Sequence, residues 1–304
     1  MSPGAPVPDG VGLMRSAGLA ARLDTDPEVR LTGHVYGQEY DDVPEGAWRA
    51  PGELTLLGGP KAALTVALPW GAIVVAASHR GRSELYSLNH HDRRVAQAPD
   101  DLPPWARPCQ RALDAAPTDA GLRMVVNRVL PHPMALLSGA ETFNAVSLAL
   151  RDLYGLDLPV DAYAPAQAVL ACAGAEPEPV PFDLRAAGLR LVLIEVGSAT
   201  GAPGPAAVTS PHEVVAAAQD LLALGPALTR AHRWGTEPLD AALDAAVAAG
   251  ALGGRAIGCC VVALAPMSRM RDIREAVTAR LVGVARRPPR FLTAVPADGA
   301  HRVA

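Results

Sequence analysis

Lysine is nearly absent from this chain: Lys61 stands alone in a background of arginine. That excludes a lysine ligand for phosphate everywhere except at one position. Aromatic residues make up 4% of the chain, so few rings are available on which a sugar or base can stack. The cysteines, Cys109, Cys172, Cys259 and Cys260, form no CxxC pair, which excludes a disulfide framework and a thiolate metal site. Reduced thiols and a cytoplasmic location are expected. No apolar run reaches the roughly 20 residues of a membrane span. The opening MSPGAPVPDGVGLMRSAG has no charged start followed by an apolar core. Residues 1–26 read as a flexible arm. The histidines form neither HxxxH nor HExxH, so no metal is expected. A net charge of −4 offers no clustered positive surface for nucleic acid or an anionic membrane.

What the chain does contain is enough apolar sequence, 50%, to bury a large core. The organising stretch is LRMVVNRVLPHPMALLSGAETFNAVSLALRDLYGL, residues 122–156. Residues 122–130 carry apolar side chains mainly at alternate positions and predict a strand. A proline turn and a loop of small residues, 135–140, lead to an amphipathic helix beginning near Glu141. A strand passed through a short loop into a helix N-terminus is a common anion site, because free N–H groups and the helix dipole meet there. This loop is poor in the glycine such sites use.

Elsewhere the pattern predicts a short helix within 17–31 and irregular chain over 31–40. Strands are predicted over 46–59, then two more over 64–80 around Pro69-Trp70-Gly71, and another over 84–91. Asn89-His90-His91-Asp92 reads as the polar end of a surface strand, and 93–104 as a loop. Helices are expected over 105–115, 211–224 and 267–284. Strands are expected over 189–196, from Cys259 and Cys260 to Ala265, and over 291–295. Adjacent cysteines on a strand point to opposite faces, so at most one lines a pocket.

GAWRAPGELTLLGG, residues 46–59, resembles the opening signature of galactokinases and the wider GHMP kinases, roughly APGRVNLIGEHTDY. Ala50-Pro51-Gly52 and Leu56-Leu57-Gly58 match. The resemblance runs in order from about Pro44 to Val303, with the GALGxR turn and His232 among the later matches. It implies an α+β, two-lobed GHMP-kinase-like fold: a mixed-sheet N-terminal lobe over 27–185 and a ferredoxin-like C-terminal lobe over 186–304.

At the positions that resemblance makes functional, the residues change. The arginine after APG is Glu53, an anion where negative charge develops during phosphoryl transfer. The sugar-contacting Glu-His-x-Asp set falls on Gly59-Pro60-Lys61-Ala62. The phosphate loop PxxxGLSSSAA falls on Pro131, His132, Pro133, Met134, Ala135, Leu136, Leu137, Ser138, Gly139 and Ala140. Proline removes an N–H, and side chains occupy space the backbone needs to approach phosphate. The third loop, TGxGxGG, is shortened to Ala256-Ile257-Gly258-Cys259-Cys260. Gln167 stands near the place of the catalytic aspartate, with no Asp between Asp161 and Asp183.

The expectation is therefore a galactokinase-like scaffold that has lost ATP-dependent sugar phosphorylation and needs no cofactor. The candidate groups are Glu53, His132, Ser138, Glu141 and Gln167, and the expected partner is a small molecule in the interlobe cleft. The first reading is a non-kinase enzyme of specialised metabolism. A pseudokinase that senses a ligand or supports a protein partner is the alternative, and a kinase with unusual ATP contacts is third.

Overall fold

The computed structural model describes residues 26–90, 95–96, 102–117, 120–130, 136–161, 163–196 and 209–304. Residues 1–25 of the expected N-terminal arm and the loop positions Pro131, His132, Pro133, Met134 and Ala135 lie outside the described residues; Asp26, the last residue of that arm, caps the first helix instead.

The first helix, α1 (Pro27–Tyr40), opens where Asp26 accepts from the Glu28 and Val29 N–H groups and Pro27 follows at the first turn. It corrects the expectation of irregular chain over 31–40. Gly33 and Gly37 weaken helix propensity locally, but Val29, Thr32, Tyr36 and Tyr40 recur at helical spacing and are all buried. Tertiary burial outweighs the glycine cost here.

The strands β1 (Gly46–Gly58) and β2 (Ala62–His79) then form a long antiparallel pair. β2 is one continuous strand, where the sequence pattern predicted two. Pro51 pairs with Gly71 and Gly52 with Leu68, so Pro69 and Trp70 form an unpaired bulge within it. Gly71 is required at that step, since a Cβ would lie 2.0 Å from the Ala50 carbonyl oxygen.

Next come β3 (Glu84–Ser87), β4 (Val95–Ala96), α2 (Arg107–Asp114), β5 (Gly121–Arg128), α3 (Ala140–Tyr154), β6 (Gln167–Cys172) and β7 (Glu178–Pro181). The second half holds β8 (Leu189–Glu195), α4 (Pro211–Gln219), α5 (Leu221–Arg230), α6 (Glu237–Ala248), β9 (Gly253–Ile257), β10 (Cys260–Pro266), α7 (Met270–Leu281), β11 (Arg290–Ala294) and β12 (His301–Arg302). The helix predicted over 211–224 is two helices. Asp220, extended at φ −137°, ends α4 and caps α5 by accepting from the Leu222 N–H.

The first sheet runs β12-β1-β2-β5-β3-β4, with β6 and β7 branching from β2. It is mixed, because β3 pairs with β5 in parallel. The second sheet runs β11-β8-β10-β9 and is antiparallel. Numbered from β8, that order is fourth-first-third-second, the ferredoxin-like arrangement. Residues 297–304 return to the first sheet, where Trp48 pairs with Arg302 and the Val303 N–H donates to the Ala47 carbonyl at 2.7 Å.

One face of the first sheet, with Trp48, Val74 and Met124, packs on α2 and α3; the other, with Val75 and Val125, packs on α1. The second sheet packs α6 and α7 through Val261, Ala263, Leu243 and Ile273. Between the sheets lies a shared core of Leu54, Leu56, Leu68, Leu193, Val262 and Leu228. Each fully buried leucine there contributes on the order of 1.5–3 kcal/mol, which ties the lobes together by apolar burial.

Candidate functional site

The N-terminus of α3 is closed by the chain's own acid. Gly139 adopts φ +100° at the cap, where a Cβ would lie 2.8 Å from Pro108 Cγ, so glycine is required for both conformation and space. The turn brings Glu141 back over its own helix start, and the Gly139 N–H donates to Glu141 Oε2 at 2.9 Å. The other oxygen, Oε1, accepts from Arg128 Nε at 3.0 Å and lies 3.0 Å from Nη2. Glu141 is 0% exposed. Arg128 also donates to the Leu137 carbonyl at 2.9 Å. Asn89 fixes its backbone from both sides, accepting from the Arg128 N–H at 2.7 Å and donating to the Arg128 carbonyl at 3.0 Å. One member of the polar run at 89–92 is thus a clamp on the strand that delivers Arg128.

A second acidic group lies at Glu53. Its Oε1 is buried with no hydrogen-bond partner among the described residues. Burial, followed by the Asp161 carboxyl and the charge of Glu141, pushes the Glu53 pKa from 4.5 up to about 7, against a small opposing effect of the Tyr163 hydroxyl. Asp161 is exposed and held by α3, accepting from Asn144 Nδ2 at 2.8 Å. Burial raises the Tyr163 hydroxyl, and the negative charges of Glu53 and Asp161 raise it further. Gly299 lies against Tyr163, where a Cβ would sit 2.5 Å from the Tyr163 carbonyl oxygen.

The structure therefore brings Glu53 and Glu141 into one electrostatic neighbourhood and adds Asp161, Tyr163, Asn144 and Arg128, which the motif comparison passed over. Ser138 is exposed and accepts from the Ala140 N–H at 3.2 Å, a local turn contact. Gln167 opens β6 opposite Pro181, and its side chain makes no hydrogen bond to Glu53, Glu141 or Asp161 among the described residues. His132 lies outside the described residues. Leu136 is buried, and Leu137 packs so closely on Gly52 that a Cβ there would meet its Cδ2 at 2.5 Å. Ile257 pairs with Cys260, so the connection between β9 and β10 is the two-residue turn Gly258-Cys259, with Gly258 at φ +58°. Cys260 is buried, which pushes its thiol pKa well up; Cys259 is half-buried.

A cavity of about 510 Å³ opens beside the two crossings of the chain between the lobes, lined in part by Arg49, Pro51, Asp183, Arg185, Asp298 and His301. None of Glu53, Ser138, Glu141 and Gln167 lines it.

No family model matches the chain, and no curated protein matches it in sequence. Its structure is similar to that of Lactococcus lactis galactokinase complexed with galactose, at TM-score 0.71 and 17% identity, covering 88% of this chain and 98% of that one. Mevalonate diphosphate decarboxylase from Staphylococcus aureus superposes at TM-score 0.62 and 11% identity, over 85% of this chain and 98% of that one. Homoserine kinase from Cytophaga hutchinsonii gives TM-score 0.59 and 17% identity, over 84% and 96%. The chain has the GHMP-kinase fold. In this GHMP-kinase fold the mixed first sheet and the ferredoxin-like second sheet are the two lobes expected from the sequence. The solved structures sharing it carry kinase and decarboxylase names alike, so the fold leaves the reaction to be argued from the site.

Proposed function

We propose that this chain does not phosphorylate a sugar and that a small molecule taken into the interlobe cleft meets the Glu53 carboxyl, beside Asp161, as its proton donor and acceptor. The reading is a non-kinase enzyme using general acid–base chemistry. The observation that carries it is the Glu53 carboxyl, half-buried beside Asp161 and Tyr163 with its pKa near 7. A group that titrates near neutrality both accepts and donates protons readily, which is what acid–base catalysis requires. The same side chain is unsuited to phosphoryl transfer, since a carboxylate opposes the negative charge that builds on the phosphoryl group.

The fold family implies ATP, and the residues at the start of α3 do not fit a triphosphate. The position that would attract phosphate holds the carboxylate of Glu141, already bonded to the Gly139 N–H and to Arg128. Arg128 is thereby paired rather than free for a phosphate. The second reading, a non-catalytic ligand sensor or partner subunit, is favoured by that same Arg128–Glu141 pair, which commits two charges at the helix start to holding structure.

The test is calorimetric titration of the folded protein with magnesium ATP, with and without galactose. No saturable binding is expected; magnesium-dependent saturation would restore phosphoryl transfer. Incubation with a mixture of small metabolites, followed by mass spectrometry, separates the remaining readings. Depletion by wild type that is lost in Glu53→Gln supports catalysis, and retention of a compound without depletion supports the sensor.

A further inference from the structure

Arg255 is a buried cation with little to hold. It sits on β9 opposite Val262, and cross-strand partners share a face, so it points with Val262, Cys260 and Leu264 into the core between the lobes. The residue is 6% exposed. One nitrogen, Nη2, donates to the Thr55 carbonyl at 3.2 Å, across to the first sheet. Nε and Nη1 are buried and have no hydrogen-bond partner among the described residues. Burial lowers the Arg255 pKa to about 10, with no neighbouring charge offsetting it, so the group is still protonated at neutral pH.

Thr209 repeats the pattern from the other side. It is 5% exposed, and its Oγ1 is also buried without a partner among the described residues. Its N–H donates to the Gly58 carbonyl at 3.3 Å. Gly58 lies against Thr55, where a Cβ would approach Thr55 Cγ2 to 3.1 Å. The Arg255 side chain and the Thr209 backbone are therefore tied to the same end of β1, at Thr55 and Gly58.

The strand carrying Arg255 is firmly placed. The next residue, Ala256, donates its N–H to His232 Nδ1 at 3.0 Å, which leaves the proton on Nε2 for Asp240 Oδ1 at 2.9 Å. The Gly254 N–H donates to Thr229 Oγ1 at 3.2 Å. A guanidinium fixed in apolar surroundings with two donors unmet is among the costliest arrangements in a folded chain, unless an anion completes it. Nη2 spends one of its two N–H groups on Thr55, so its other N–H, with that of Nε or of Nη1, forms one parallel pair of the kind that holds both oxygens of a carboxylate or phosphate.

We propose that Arg255 and Thr209 form an oxyanion site between the lobes, at the residue 55–58 end of β1, which takes the carboxylate or phosphate group of a small ligand. This goes beyond the acid–base reading of Glu53 and holds whether or not that chemistry occurs. The site lies apart from the start of α3, where Glu141 turns anions away.

The test is thermal unfolding of the full chain in anion-poor buffer, titrated separately with inorganic phosphate and with acetate, at constant ionic strength set by chloride. At least one should raise Tm saturably, by about 2–4 °C at tenfold Kd. Arg255→Met should fold, with Tm at or above wild type in the anion-poor buffer, and should lose the response. Thr209→Val should weaken affinity roughly 3- to 10-fold. If Arg255→Met fails to fold, Arg255→Lys replaces it, keeping the charge but losing the two-nitrogen fork. A response to phosphate alone assigns a phosphorylated ligand, and one to acetate alone assigns a carboxylate. The inference is overturned if wild type responds to neither anion, or if the Arg255 variant that folds responds as wild type does.

Discussion

Glu141 Oε1 lies 3.0 Å from both Nε and Nη2 of Arg128, and the two residues differ sharply in access to water: Glu141 is fully buried, whereas the Arg128 side chain is 22% exposed. Removing either partner is costly, on the order of 3–5 kcal/mol for a buried pair, but the costs are unequal. Arg128→Met strands a carboxylate that has no water to turn to. Glu141→Gln leaves an arginine that hydrates at its exposed edge. Urea denaturation should therefore place Arg128→Met below Glu141→Gln in stability, and the reverse order would contradict this account of the helix start.

The raised pKa of Glu53 gives stability a sign with pH. The folded chain holds the Glu53 proton more tightly than the unfolded chain, because the pKa moves from 4.5 up to about 7. The unfolded state releases that proton first, so wild type loses stability as pH rises through this window and the penalty is complete above it. Glu53→Gln lacks the penalty. Allowing for the solvent that reaches this half-buried group, the variant should exceed wild type by about 1–2 kcal/mol at pH 8, with the gap closing toward pH 4. Paired denaturation curves across that range check it.

Asp161 raises the Glu53 pKa both through its hydrogen bond and through its charge. In Asp161→Asn the Glu53 titration should fall toward the ordinary carboxylate range. Carbon-13 NMR of the labelled Glu53 carboxyl reads the midpoint directly. An unmoved midpoint would assign the shift to burial and the Glu141 charge and remove the carboxyl pair from the proposed chemistry.

Gly71 bears on the bulge that interrupts pairing just before Glu53. A Cβ there meets backbone, at 2.0 Å from the Ala50 oxygen and 2.6 Å from the Gly52 nitrogen, and neither atom yields without parting the strands. Gly71→Ala should cost about 3 kcal/mol or more by urea denaturation. Gly155→Ala, where no atom lies within 4 Å of the added Cβ and only the φ of +68° is unfavourable, should cost less, about 1 kcal/mol.

Much of this arrangement was legible in the sequence, and the parts that were not share a physical reason. The strand-loop-helix at 121–154 follows from apolar alternation giving way to helical periodicity, and the shortening at Gly258-Cys259 is visible as missing residues. α1 was hidden because local glycines oppose it and only contacts with the first sheet favour it. Asp161 was hidden because it lies in irregular chain after α3, where no period marks it, and reaches the site through Asn144. Arg255 was visible only as part of a turn motif. Its significance is the absence of a counter-charge, which is a property of the surroundings and leaves no trace in residue order.

The pairing of β12 with β1 has a consequence for synthesis. Arg302 crosses to the Glu45 carbonyl at 2.8 Å and lies 5.3 Å from the centre of the Trp48 ring, covering the edge of the first sheet. On the ribosome those residues emerge only after the whole of the second sheet, so β1 waits for β12 with its edge unprotected. An N-terminal half released early exposes a long apolar strand to its neighbours. Truncation before residue 297 should therefore yield aggregates rather than a soluble first lobe, which sedimentation of the truncated chain checks.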